Sequence, residues 1–310
     1  MLRLHVTDID NVLRCRRKSE YQKEGLRKKE SAFADRMFTG TVGHYCLAEY
    51  YRSGMKLNAL MQALDHMQTQ GEFDYELLKQ VLLRYISRYH QQEVDYDILF
   101  TEQEVVYKVP GTNVQLVGTF DLVYGKANGV WIRDHKFVSN IPEPGEYDFN
   151  FQLKAYLWLA RNVLQIPKLR GLELNAVKTA VPVPPNILKN GELSQNVAQN
   201  TSVELIEALI VELNLDRNKY AGFIETIAAK GEQFFYREDI IKSRKEMEEF
   251  EAYLPYKVRY CNTKTIPKFT TENYMCKRDC EYRSLCRVES TGGNVKLMKT
   301  TEYVVVEGRE

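Results

Sequence analysis

Residues 118–138 read GTFDLVYGKANGVWIRDHKFV, and the fold turns on them. Aromatic and β-branched residues crowd two runs, 114–124 (VQLVGTFDLVY) and 130–138 (VWIRDHKFV). Gly125 to Gly129 separate the runs as a turn, so the spacing predicts a β-hairpin. Asp134 and Lys136 are two apart on the second strand and project from one face. Asp121, on the first strand, can meet them across the hairpin. Two carboxylates beside one lysine on an apolar sheet are costly to bury unless a cation compensates. Mg²⁺ or Mn²⁺ binds such oxygens directly. It would polarise a phosphate and activate a water. Lys136 would orient or deprotonate that water, or offset developing charge, since lysine pKa values shift readily on burial. A plain Asp134–Lys136 salt bridge is the competing reading of an acid-x-Lys triplet. Against it, Lys136 is the only lysine in the chain with an acid two residues before it.

Working outward, residues 102–109 (EQEVVYKV) read as a strand before the hairpin. Residues 150–164 (NFQLKAYLWLARNVL) read as a helix stopped before Pro167, and 170–178 as a strand. Ahead of these lie a helix at 40–52, entered through glycines, and a helical insert at about 55–97 split near Gly71. The order predicts an α/β fold with a mixed central sheet flanked by helices. A short helix capped by Thr7 is expected near the start. Residues 181–200 are Pro- and Asn-rich and read as a long loop, a kind often functional. Residues 202–229 and 238–254 read as helices, and 302–306 as a last strand closing an edge. No clean boundary divides the chain, so residues 1–310 are read as one domain.

Four further candidates join the central set. His44 lies on the early helix after Gly40 and Gly43, and a neutral imidazole suits Mn²⁺. Glu104, on the preceding strand, could add a ligand. Gln152 and Tyr156 share a helix face and could hold a phosphate and stack on a base.

Composition sets bounds. The 310 residues are 44% hydrophobic and 27% charged, as in a soluble globular protein. No apolar run approaches the roughly 20 residues of a membrane helix. The opening MLRLHVTDIDNVLR lacks the apolar stretch of a signal peptide, so a cytoplasmic location is expected. The net charge of +1 gives no global sign of nucleic-acid binding. Residues 14–29 nevertheless hold eight basic and two acidic residues.

Of six cysteines, Cys276, Cys280 and Cys286 cluster late and Cys15 stands early. Four thiolates suit a 4Fe–4S cluster or a structural Zn²⁺, and either ties the start of the chain to its end. Unligated buried cysteines are the third possibility. Cys46 reads as core, and Cys261 as a reserve ligand. If the thiolates converge, the basic segments around them converge too. Arg16, Arg17, Lys18, Lys277 and Arg278, with Tyr21, Phe33 and Tyr282 interleaved, would then form a single-strand path of charge and aromatics.

Gly118-Thr119-Phe120-Asp121, Asp134-His135-Lys136 and Gln152-Leu153-Lys154-Ala155-Tyr156 resemble the motifs of PD-(D/E)XK nucleases of the RecB type. The family order is a helix histidine, Asp, Asp-x-Lys, then Gln-x-x-x-Tyr, and His44, Asp121, Asp134, Lys136, Gln152 and Tyr156 follow it. One early and three late cysteines resemble its iron–sulfur branch, which includes the AddB nuclease domain and the CRISPR-associated iron–sulfur exonucleases. The segment at 183–254 is similar to phage-encoded members. Here three residues separate Cys276 from Cys280, where two are commoner, and Arg16 stands where proline is usual.

The resemblance implies a restriction-endonuclease-like core with an iron–sulfur clasp, Cys15 with 276–286. It implies a stand-alone metal-dependent DNA exonuclease in recombination, repair or end processing, in a host cytoplasm if phage-encoded. His44, Asp121, Asp134 and the His135 backbone carbonyl would hold Mg²⁺ or Mn²⁺. Lys136 would serve the water, and Gln152 and Tyr156 would position the strand. DNA with a free single-stranded end is the expected substrate, and a recombinase or annealing protein a possible partner. Two alternatives stay open: a DNA-binding module with a dormant site, and a zinc-clasped endonuclease.

Overall fold

The computed structural model describes residues 1–29, 32–164, 166, 168–231, 233–263, 276 and 280–305, the side chains of 32–36 apart. Its centre is a six-stranded mixed sheet. The strands are β1 (Leu2–His5), β3 (Asp97–Lys108), β4 (Val114–Lys126), β5 (Gly129–Val138), β6 (Leu169–Lys178) and β7 (Phe235–Ile240). The predicted hairpin is β4–β5, and its ladder runs from Lys126↔Gly129 to Leu122↔Arg133.

The decisive feature is a fork. β3 lies antiparallel along one edge of β4, from Gln115 to Gly125. On the opposite edge β1 pairs in parallel with Val114–Val117, and β5 pairs only from Leu122 onward. Gly118 to Asp121 therefore have a strand on one side only. Beyond the fork β5 runs parallel to β6, and α6 (Phe151–Val163) makes the crossover between them. Asn150 caps α6 by accepting the Leu153 N–H.

Helices cover both faces. On one, α1 (Val6–Arg14), α6 and α9 (Arg244–Asn262) bury Phe120, Tyr156, Trp158, Leu159 and Phe250. On the other, α3 (Ala32–Arg52), α4 (Leu57–Gln68) and α5 (Tyr75–Glu93) bury Leu47, Tyr50, Leu82 and Tyr85 against Leu122 and Trp131. Truncating such a buried leucine costs about 2–5 kcal/mol. α3 runs close to the sheet because Gly43 has no Cβ: one there would overlap the Phe137 ring. That contact carries His44 over the fork.

Several expectations need correction. His5, not Thr7, is the N-cap of α1, and Thr7 lies inside the helix. Residues 235–240 form strand β7 rather than the start of a helix. Hydrophobic alternation is missing there because the inward position is Arg237, paired with buried Glu93. Tyr303–Val305 (β8) does not close the main sheet. It pairs with β2 (Leu26–Lys28) in a separate two-stranded sheet. Val306 lies outside the described residues. Around this pair Tyr21, Leu26, Tyr282, Leu285 and Tyr303 form a small core joining early and late segments. The loop at 181–200 is present, with one bridge, Ile187↔Leu193. Among the described residues no helix is long and apolar enough to cross a membrane.

Candidate active site

The fork gathers the predicted side chains. Where the β4–β5 ladder ends, the Asp121 carboxylate takes the place of a partner strand: the His135 backbone N–H donates to its Oδ2 at 2.7 Å. His44 Nδ1 lies 3.3 Å from the same oxygen. Lys136 Nζ sits 2.8 Å from Asp134 Oδ2 and donates to Gln152 Oε1 at 3.2 Å. Gln152 Nε2 in turn donates to the Tyr156 hydroxyl at 2.9 Å. The residues line one cleft of about 1820 Å³, bounded by Phe73 of the helical insert and by Cys280 and Glu281 of the late segment.

Two assignments change. Glu104 points away and pairs with Arg3 at 2.6 Å, both exposed. Glu102 enters instead: His44, Glu102 and Asp121 are the only group of metal-type ligands gathered within 4.8 Å among the described residues. The strand period hid this, because 102 and 104 share a parity and either could face the site. Tyr156 is buried and packs edge-on against Phe120, ring centroids 5.5 Å apart. Its ring is not offered to a base; its hydroxyl anchors Gln152.

The electrostatics are those of a site short of positive charge. Burial pushes the Asp121 carboxyl up, but His44, His135 and Lys136 pull it down to about 2. Burial, with Asp121 adding to it, raises Asp134 above the usual carboxylate range despite Lys136. Glu102, although partly open to solvent, is likewise raised by desolvation in the cleft and by Asp121. Burial lowers the Lys136 ammonium, yet Asp134 and Asp121 outweigh it and hold the group above its ordinary value. Lys136 is thus a cation in this geometry. The donor set, hard carboxylate oxygens with one imidazole, fits Mg²⁺ or Mn²⁺.

The cysteine region differs from the expected DNA path. Arg16 is only 4% exposed, and its guanidinium donates to the Tyr260 and Thr263 carbonyls at the end of α9. Arg17 donates to Cys286 Sγ at 3.5 Å and to Ser290 at 2.9 Å. Tyr21 is buried and bonded to Glu289, and Tyr282 is buried with it. Lys18 faces the cysteine cavity. Contacts with Tyr260, Thr263, Ser290 and Glu289 turn Arg16, Arg17 and Tyr21 inward, so among the described residues these three do not form an aromatic-interleaved surface. Lys277, Arg278 and the Phe33 side chain lie outside the described residues. Cys15, Cys276, Cys280 and Cys286 line one cavity of about 260 Å³. Their sulfurs are not drawn into a group of three within 4.8 Å. Cys46 and Cys261 belong to the two main cores.

Hard oxygen donors, an imidazole and a half-buried lysine at the fork of a mixed sheet have the makeup of a divalent-metal hydrolytic centre. A family model described as the PD-(D/E)XK nuclease superfamily matches residues 3–287. The chain belongs to this superfamily, whose members are metal-dependent nucleases, and the family implies DNA as substrate. A comparison with curated proteins returns no match. Among solved structures, the chain is similar to one titled "Crystal structure of SSO0001", at 12% identity and a TM-score of 0.36, covering 92% of this chain and 85% of that one.

Proposed function

We propose that this protein is a single-domain, RecB-like DNA exonuclease of the iron–sulfur branch, of phage type, acting in recombination, repair or end processing in the cytoplasm. The observation that carries the nuclease reading is the Asp134–Lys136–Gln152 chain beside the His44–Glu102–Asp121 group in one cleft. His44, Glu102, Asp121, Asp134 and the His135 carbonyl would hold Mg²⁺ or Mn²⁺. When bound there, such an ion would supply Lewis-acid polarisation of the phosphate and an acidified water. Lys136, held as a cation, orients the water and offsets charge that develops on the phosphate. Gln152 fixes the Lys136 ammonium, and Tyr156 fixes Gln152.

A different observation supports the cluster. Among the described residues, the cysteine cavity is lined by four cysteines, four cations (Arg17, Lys18, Arg283 and Arg287) and no carboxylate. These cations would offset the negative charge of four bound thiolates, against the burial that holds the Cys280 thiol above its ordinary value. A 4Fe–4S cluster held by the four cysteines would clasp early and late segments.

The test is a cleavage assay with 5′- and 3′-labelled single strands, a duplex and a closed circle, in Mn²⁺ or Mg²⁺. Stepwise loss from one end, with the circle intact and Lys136→Ala inert, is the expected result. Cleavage of the circle would favour an endonuclease. No cleavage of any substrate by cluster-replete protein would favour a DNA-binding module, or a missing recombinase or annealing partner.

A further inference from the structure

Behind the cleft, on the α3 and α5 side of the sheet, lies a buried polar array that the reaction as described leaves unused. His135, Asn175 and Arg237 stand side by side on three adjacent strands, paired His135↔Asn175 across β5–β6 and Asn175↔Arg237 across β6–β7. His135 is 2% exposed and Asn175 fully buried. Arg237 Nε donates to Asn175 Oδ1 at 2.9 Å. An arginine can only donate, so Asn175 spends its carbonyl there and turns its amide toward the histidine. Asn175 Nδ2 lies 2.7 Å from His135 Nδ1. Nδ1 must therefore be the lone-pair nitrogen, and the ring proton sits on Nε2.

Arg237 is itself fixed. It donates to the Tyr85 hydroxyl at 2.8 Å and pairs with Glu93 at 2.5 Å. Glu93 also holds Arg133 at 2.7 Å. The His135 ring is stacked on Tyr51, centroids 6.1 Å apart and planes 18° apart. Ring and backbone are thus locked together. The His135 N–H reaches into the fork to Asp121. In an extended strand the N–H and C=O of one residue point to the same edge, so the His135 carbonyl faces the fork as well.

We propose that Asn175, gripped by Arg237, is a positioning residue for the metal site: it fixes the His135 ring in one tautomer and one orientation, and so fixes the peptide that holds Asp121 and presents a carbonyl to the ion. This rests on the reading of Asp121, Asp134 and the His135 carbonyl as ligands. Groups that orient metal ligands typically contribute 10- to 100-fold in metal affinity. Asn175 touches neither ion nor DNA.

The test uses the full chain without DNA. Mn²⁺ affinity is measured from the spin signal of the free ion, for wild type, Asn175→Leu, Asn175→Asp and Asp134→Asn. The histidine tautomers are read from ¹H–¹⁵N correlations, tractable with five histidines, and His135 is assigned with His135→Gln. The expected wild-type His135 carries its proton on Nε2. Asn175→Asp keeps the shape but offers only acceptors, so the proton moves to Nδ1 and Mn²⁺ binding weakens roughly tenfold or more. Asn175→Leu weakens it similarly. Should Asn175→Leu fail to fold, judged by circular dichroism, the near-isosteric Asn175→Asp carries the test. Wild-type Mn²⁺ affinity in the folded variants, or a wild-type proton on Nδ1, overturns the inference and leaves the metal-site reading intact. Mn²⁺ binding that is absent in wild type, or unchanged by Asp134→Asn, overturns that reading and the inference with it.

Discussion

Glu102 stands directly across the β3–β4 ladder from Asp121, between the paired positions Thr101↔Leu122 and Gln103↔Phe120. Like charges facing each other across a sheet are destabilising. Glu102 also holds a left-handed backbone, φ +48°, which costs a non-glycine residue about 1–3 kcal/mol. A bound cation between the two carboxylates reverses the sign of the first effect. Glu102→Gln is therefore expected to raise the Mn²⁺ concentration for half-maximal cleavage at least about tenfold. Glu104→Gln should leave it unchanged, since its exposed pair with Arg3 is worth about 0–1 kcal/mol. Equal effects of the two variants would remove Glu102 from the site.

Lys136 meets Asp134 and Gln152 and no other protein acceptor in the bonds above. Lys136→Ala is expected to lower the cleavage rate by about 10²–10⁴-fold while DNA binding in Ca²⁺ stays within a factor of about two. Gln152→Ala should cost less, about tenfold, because Asp134 still holds the ammonium. Rates at saturating DNA, with affinities from filter binding, separate the two. Joint loss of binding and cleavage in Lys136→Ala would move this lysine from chemistry to substrate capture.

Gly118 opens the stretch of β4 that is paired along one edge only, and a Cβ there would lie 2.8 Å from Leu159 Cδ1 and 3.1 Å from the Tyr156 ring. Both neighbours are on α6, the helix that carries Gln152. Gly118→Ala is expected to destabilise the fold by about 1–3 kcal/mol through overpacking. It should also slow cleavage by displacing Gln152 from Lys136. Urea unfolding followed by circular dichroism gives the first quantity. A variant as stable as wild type would show that α6 can give way without cost.

The hairpin, the crossover helix and most residues that gather at the fork were legible in the sequence because each carries its own local signal. Runs of aromatic and β-branched residues marked β4 and β5, and the acid-x-Lys triplet fell on the second strand. Two kinds of feature were not legible. One is the strand whose inward residue is charged: β7 faces the core with Arg237, and partners far away in sequence, Glu93, Tyr85 and Asn175, make that position tolerable. The other is direction. Arg16, Arg17 and Tyr21 have the composition of a nucleic-acid surface, but tertiary contacts turn them inward. Short β1 and β2, at the margins, gave no pattern long enough to read.

Protein prepared without oxygen is expected to be brown and to contain iron and sulfide in equal amounts. Cys280→Ser should bleach it and loosen the join between early and late segments, seen as faster proteolysis. Cys280 borders both the cysteine cavity and the large cleft, so the same change should weaken DNA binding too. A colourless protein with one zinc per chain would refute the cluster.

The buried array predicts the acid limb of stability. Glu173 bonds Arg133 at 2.5 Å and the Tyr124 hydroxyl at 3.0 Å, and it lies 3.7 Å from Lys126. Burial pushes its carboxyl up, but Arg133, Arg237 and Lys126 pull it below its ordinary value. An acid whose folded pKa is depressed favours the folded state wherever it is ionised. Its contribution is complete above the unfolded value of about 4.3 and is lost as pH falls through the folded one. Glu173→Gln leaves Arg133 with one carboxylate, Glu93, and should cost about 3–5 kcal/mol at pH 7. The gap to wild type should narrow as the pH falls below about 4, because protonation of wild type then reproduces the mutant. Urea unfolding of both proteins across this range measures the gap. A gap that is constant with pH would assign the cost to packing around Glu173 rather than to its charge.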